Sequence, residues 1–251
     1  LTLGIITFLL VLGGIWFAVS NAPVSYSVPP RNIPNPNGLD YYLSAANSIV
    51  DHEKVDEAYE GYSNHQLHQY SLKEKQALIN ANKKSFSIFE EGLKYKSLSN
   101  STRDVCGTFP QLIKYRHLAR LLSLKNQICM ETNNPDEAFE TCIKGLKFGN
   151  DVAKGGITIE GLVSNSVQSI ARKNVSSTID KLDKKQVKNA LKELEIIISE
   201  SVLYKDILTE EKNCAILTYS KLLNKKNGKY ELSKALGIDD TQNYVYRKLL
   251  L

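Results

Sequence analysis

The chain has 251 residues, with 32 Lys+Arg against 27 Asp+Glu, a net charge of +5, and 42% hydrophobic and 24% charged residues. That composition excludes a chain disordered throughout, a collagen and a disulfide-dense miniprotein. The length fits one domain or two small ones and is enough to bury a real core.

Residues 1–19 (LTLGIITFLLVLGGIWFAV) carry no charge, and the first charged residue is Arg31. Nineteen residues at 1.5 Å each span about 28 Å as a helix, close to the hydrocarbon thickness of a bilayer. Trp16 and Phe17 stand near the end of the run, where interfacial aromatics belong. Residues 1–20 therefore read as a transmembrane anchor or signal-anchor. The rival is a cleaved signal peptide, with Ala18-Val19-Ser20 offering small residues for the cut, but the apolar run exceeds the usual signal core. Both readings put the rest of the chain outside the cytoplasm, on the periplasmic side of the inner membrane if the source is bacterial. Only Arg31 lies within 20 residues after the span, whereas cytoplasmic flanks are rich in Lys and Arg. Residue 1 is a Leu inside the apolar run and the chain stops at Leu249-Leu250-Leu251. It reads as a fragment, cut at the N-terminus and open to truncation at the C-terminus.

Residues 21–38 hold five of the seven prolines, Pro23, Pro29, Pro30, Pro34 and Pro36. Such a stretch cannot hold a helix and favours extended polyproline-like backbone, roughly 50 Å long. It reads as a stalk lifting the domain of residues 39–251 off the bilayer.

From Leu39 the pattern is helical. Leu39, Tyr42, Leu43, Ala46, Ile49 and Val50 form an i, i+3, i+4, i+7 stripe. A polar stretch, Asp51 to Glu60, leads into a loop around Gly61–Tyr70. Ser71-Leu72-Lys73-Glu74 is a capping box opening a helix to about Tyr95, with Leu78, Ile79, Phe86, Phe89 and Leu93 on its apolar face. A third helix runs from about Pro110 to Met130. Asn133-Asn134 turn the chain, and Pro135-Asp136-Glu137 open a fourth helix to about Gly149. The short connection makes these two an antiparallel pair. Leu118, Leu121, Leu122 and Ile128 are expected to face Ala138, Phe139 and Leu146. Gly155-Gly156 precede a fifth helix with Ile159, Leu162, Val163, Ser166 and Ile170 on one face. Asp183 to Gln186 cap a sixth carrying Val187, Ala190, Leu191, Leu194 and Ile198, and a seventh covers about Val202–Leu223. No alternating run of strand length appears, so the fold class is all-α.

Candidate chemistry is sparse. The histidines are His52, His65, His68 and His117. His65 and His68 share a face if helical, and with Glu60 or His52 they make an imaginable metal site, but no zinc-type spacing is present. A solvated polar loop is the plainer reading. The cysteines are Cys106, Cys129, Cys142 and Cys214, with no CxxC. Cys129 and Cys142 sit on opposite arms of the hairpin, offset by about 6 Å along helices about 8–10 Å apart. A disulfide wants Cα atoms about 4.4–6.8 Å apart, so buried thiols are expected. The paired acids Asp56-Glu57, Glu90-Glu91, Glu210-Glu211 and Asp239-Asp240 point about 100° apart on a helix and read as solvated faces. Gly155-Gly156 lacks the Lys-Ser/Thr of a phosphate loop, and Ser164 lacks the glycines of a nucleophile elbow. Six of the 32 basic residues are Arg and no Arg/aromatic cluster exists, which speaks against nucleic-acid binding. No catalytic, cofactor-binding or metal residue is assigned, and no cofactor is expected.

Ala119, the turn Asn133-Asn134-Pro135-Asp136, Ala138 and Leu146 resemble one tetratricopeptide-type helix hairpin, covering about 30 residues. A longer series includes Asn37-Gly38-Leu39-Asp40-Tyr41-Tyr42, Ala45-Ala46, Asn80-Ala81-Asn82 and Phe89-Glu90-Glu91-Gly92-Leu93. It continues through Leu118-Ala119-Arg120-Leu121-Leu122, Asn134-Pro135-Asp136-Glu137-Ala138 and the Ile157–Ile170 helix. With the anchor and stalk, this order resembles uncharacterised membrane-anchored all-helical proteins of planctomycetes and related bacteria. The resemblance implies location and a helix-hairpin, solenoid-like fold, and no activity. The function expected is a non-enzymatic, extracytoplasmic scaffold or protein-binding module with protein or peptide partners. The alternative is a membrane-tethered envelope hydrolase whose site is scattered in sequence.

Overall fold

A computed structural model describes residues 28–64, 70–103, 107–173 and 175–224. The expected membrane span at 1–19 lies outside them; no described helix is long and apolar enough to cross a membrane. Contacts divide the chain into two units. In the smaller, Arg103 donates from Nη1 to the Pro29 carbonyl at 2.5 Å, and residues 213–224 are helical. The larger, residues 30–102 and 107–212, holds the features below.

The described residues are all-α. The helices are α1 Gly38–Asn47, α2 His52–Asn64, α3 Leu72–Ala81, α4 Lys83–Gly92, α5 Gln111–Glu131, α6 Pro135–Ala153, α7 Thr158–Arg172, α8 Val175–Ile179, α9 Lys184–Ser199 and α10 Tyr204–Asn224. Several starts follow the local chemistry read above. Ser71 accepts from the Glu74 amide while Glu74 reaches back to the Ser71 amide at 2.7 Å. Asp183 and Gln186 repeat the device on α9, and Pro135 opens α6.

The expected pair α5/α6 forms the centre, with α7 packed on both. Leu118, Leu121, Leu122, Ala138, Phe139 and Leu146 are buried and Ile128 is half-buried. α6 runs past Gly149, the end that the sequence predicts, to Ala153. Gly149 is a close-approach point: a Cβ there would stand 2.5 Å from Gln168 Cγ and 3.1 Å from the Gln168 amide nitrogen on α7. Phe148 sits in the middle of the core, with Tyr42, Phe89 and Tyr115 rings 4.9, 5.7 and 5.8 Å away in edge-on geometry.

Four expectations are corrected. His52–Glu60 and the start of the expected loop after it, as far as Asn64, are α2. Among its residues of described burial, up to Gly61, the buried ones are Val55, Ala58 and Gly61, and charged contacts to α5 add to them. The single helix expected from Ser71 to Tyr95 is two helices broken at Asn82. The fully buried Asn82 side chain accepts from the Val50 amide at 2.7 Å and donates to the Val50 and Leu78 carbonyls at 3.2 and 2.9 Å. On α7 the buried face is Glu160, Gly161, Ser164, Val167 and Ile170, while Ile159 and Leu162 are exposed. Small residues win the inside because α6 and α7 approach through Gly149 and Gly145.

The fourth correction concerns the stalk, whose last residues belong to the body. Arg31 donates to Glu210 Oε1 from Nε at 3.0 Å and to the Ser99 and Ser101 carbonyls from Nη1. Asn37 is 2% exposed, caps Leu39 at 3.3 Å and pairs with the Leu98 amide and carbonyl at 3.1 and 2.9 Å. A chain starting at Leu39 should therefore be less stable than one starting at Val28 by about 2–3 kcal/mol, since it loses the Asn37 cap and the Arg31 bonds to Glu210, Ser99 and Ser101. Urea unfolding followed by circular dichroism checks this; equal midpoints would return residues 30–37 to the linker.

Candidate functional site

Three groups of side chains are dense enough in chemistry to be weighed as sites. The first lies between α2 and α5. His52, Asp56 and Glu60 recur every four residues and so share one face of α2, while His117 and Arg120 share one face of α5. His117 Nδ1 is 2.8 Å from Asp56 Oδ2, and Arg120 Nη1 is 2.6 Å from the same oxygen. Arg120 Nη2 reaches Glu60 Oε1 at 3.1 Å. The His52 and His117 rings meet edge-on at 5.2 Å. The Tyr59 ring takes the Arg120 guanidinium at 5.7 Å and the Lys173 ammonium at 4.8 Å. Burial holds the Tyr59 phenol above its ordinary range, against the lowering field of Arg120. Burial also lowers the Lys173 ammonium. The one Asp56 oxygen pairs with Arg120 and lies close to His117, whose Nδ1 makes no hydrogen bond, and this contact joins α2 to α5. Glu60 and His52, imagined as metal ligands, fall at this junction. Their suggested partners His65 and His68 lie outside the described residues. Among the described residues no three His, Cys, Asp or Glu side chains converge to hold a metal ion.

The second group was not visible in the sequence. Glu160, 4% exposed, accepts from its own helix start, the Ile157 amide, at 2.8 Å, and from Ser99 Oγ at 2.6 Å and Ser101 Oγ at 3.2 Å. Ser99 also donates its amide to the Lys154 carbonyl at 2.8 Å. That turn passes through Gly155 at φ +66°, the left-handed region that glycine enters without strain. Beside it the Tyr42 hydroxyl donates to Asp151 Oδ2 at 2.8 Å, and Lys154 meets Asp151 Oδ1 at 2.7 Å. Burial and the Asp151 carboxylate push the Tyr42 phenol far up, so it stays a donor. Residues 96–101 thus strap α1, the α6–α7 turn and Arg31 together. The available signal was the spacing Ile157-x-x-Glu160 at a helix start, which places a carboxylate against an unpaired amide.

The remaining sequence candidates separate. Glu57 accepts from Tyr70, Glu90 from Lys144, Glu91 from Lys94 and Tyr95, and Glu211 from the Thr158 amide at 2.8 Å. Adjacent acids thus diverge to different partners, and Asp239-Asp240 lie outside the described residues. Ser164 is buried beside Gln168 at 3.2 Å. Cys129, Cys142 and Cys214 are buried and outside any disulfide, as expected for the first two, and Cys106 lies outside the described residues. Burial raises Cys129 to about 11 and Cys142 to about 12. A group protonated more readily when folded adds stability that disappears once pH passes its unfolded value, here from about pH 9 upward through 11 to 12. Native Cys129 and Cys142 should resist a thiol-alkylating reagent at pH 8 and react only on unfolding, as mass spectrometry of the labelled peptides would show. Rapid native labelling would place them nearer the surface.

The third group is apolar. Ile159 and Leu162 on α7, Leu191, Ile196 and Ile198 on α9, and Leu203, Tyr204 and Leu208 around the start of α10 are all exposed. α9 has a single buried residue, Ala190, and polar bonds pin its two ends to α6. Gln186 Nε2 donates to Asp136 Oδ2 at 2.6 Å, and Asn150 holds the Glu200 carbonyl at 2.9 Å and the Val202 amide at 3.0 Å. The apolar stripe of α9 is therefore covered along one edge only. Compared with known protein families, curated proteins and solved structures, the chain finds no match.

Proposed function

We propose that the chain is a membrane-anchored, extracytoplasmic helical module, non-enzymatic, that binds other proteins through the apolar side chains displayed on α7, α9 and α10. The observation that carries this reading is that exposed set, eight large apolar residues on helices otherwise capped and paired with polar groups. Large apolar side chains left exposed in number are one mark of interaction surfaces. The charge-free residues 1–19 support the anchor. The α5/α6 hairpin fits a tetratricopeptide-like, solenoid-like arrangement, and kinship with the planctomycete membrane-anchored proteins belongs to the same proposal. The envelope-hydrolase alternative is favoured by one contact, the 2.8 Å approach of Asp56 to His117, a carboxylate beside an imidazole, though His117 Nδ1 forms no hydrogen bond there. Arg120 on the same Asp56 oxygen weighs against it.

The test combines two measurements on the full chain in a bacterial host. A reporter active only outside the cytoplasm, fused after Asp40, should be active, and a cytoplasm-only reporter should be silent. Photocrosslinking residues at Leu162 and Leu203 should give discrete protein adducts that a probe at exposed Lys185 does not. Cytoplasmic activity reverses the topology, and probes that label only lipid or nothing remove the protein-binding reading.

A further inference from the structure

We infer that a second copy of this chain docks on α9, by an antiparallel pairing of the helix with itself. The inference rests on the reading of this layer as a protein-binding surface and names the partner. Val187, Leu191, Leu194 and Ile198 follow one another at spacings of four, three and four, a heptad seam with Leu191 and Ile198 at a and Val187 and Leu194 at d. In the chain itself the seam is not closed: Leu191 is 55% and Ile198 69% exposed, and Val187 and Leu194 are half-buried. The g side of the seam, Ala190 and Ile197, is the more covered side, Ala190 being buried and Ile197 half-buried, and α9 packs on α6. The e side, Lys188 and Glu195, is exposed.

The charges choose the occupant. In an antiparallel pair the e side of one helix meets the e side of the other, and a residues stack on d residues. Leu191 then meets Leu194 of the second copy, and Val187 meets Ile198 of the second copy. Lys188 then faces Glu195 of the second copy, and the two-fold axis repeats the contact with the roles exchanged, which is the self-complementarity a closed two-fold interface requires. A parallel pair would set Lys188 and Glu195 against the Ala190–Ile197 side, which α6 already occupies. Neither Lys188 nor Glu195 forms an ion pair within its own chain among the described residues.

The experiment uses the full chain in the membrane of a host cell, with a photocrosslinking residue at Ile198. The expected product runs at twice the 28.1 kDa chain mass and is missing when the probe stands at Lys185. Lys188→Glu sets two glutamates against each other at both symmetric contacts and should lower the doubled product about tenfold. Lys188→Glu with Glu195→Lys should restore it. No doubled product, or an unchanged yield in Lys188→Glu, overturns the pairing. Adducts at Ile198 to other proteins without the doubled product also overturn it, yet leave the interaction module standing. Silence at Ile198, Leu162 and Leu203 together removes both.

Discussion

Phe148→Ala should cost about 3–5 kcal/mol, the range for emptying an aromatic site in a closed core. Phe148 is fully buried and its ring meets those of Tyr42 and Tyr115 edge-on, so truncation also removes favourable ring pairs worth about 0.5–1.5 kcal/mol each. Collapse around the gap is hindered because Tyr42 is tied by its hydroxyl to Asp151 and Gly149 next door already touches the α7 backbone. Urea unfolding of a chain starting at Val28, followed by circular dichroism, measures the loss. A change under 1 kcal/mol would show that Phe148 is not at the centre.

Glu160→Ala should cost about 3 kcal/mol, because hydrogen bonds to charged groups contribute about 1.5–3 kcal/mol each and the loss leaves buried donors unpaired. The substitution strips the Ile157 amide of its cap and removes the carboxylate acceptor of Ser99 and Ser101, leaving these two hydroxyls their bond to each other. Glu160→Gln keeps an acceptor oxygen and should lose less. Because the strap of residues 96–101 loses its tie, backbone amides there, Ser99 first, should exchange with deuterium faster than those of α5. Unchanged exchange at Ser99 would mean that the strap is held without Glu160, by its bonds to Asn37, Arg31 and the Lys154 carbonyl.

The sequence is most legible where structure depends on neighbours along the chain. Ser71 with Glu74, Asp183 with Gln186 and Pro135 at a first turn each satisfy helix amides locally, and the helices begin there. The α5/α6 pair follows from a connection too short to place the helices apart. It is least legible where a distant group decides. Asn82 ends a helix because its amide finds Val50, 32 residues earlier. α2 looks too polar to pack, yet Asp56 and Glu60 meet Arg120 across the helix interface. A hydrophobic stripe put Ile159 and Leu162 inside, but Glu160 finds Ser99 and Ser101, and that rotates the helix face. Arg31 reads as a stalk residue until Glu210 is brought beside it. The exposed side chains of α9 are hard to read for a related reason. Periodicity marks Leu191 and Ile198 as apolar seam residues, but it does not say whether the covering partner lies in the same chain.

The central claim is that the α9 seam is an open surface and not part of the chain's own core. The most direct test is the unfolding free energy of the Leu191→Asp/Ile198→Asp double variant, measured at low protein concentration where association contributes least. If the face is open, the double variant stays within about ±0.5 kcal/mol per substituted site of the parent, as exposed substitutions do, with the same helical spectrum. A loss of several kcal/mol, of the size expected at Phe148, would show that Leu191 and Ile198 are covered by the chain itself, and would contradict both the surface and its pairing.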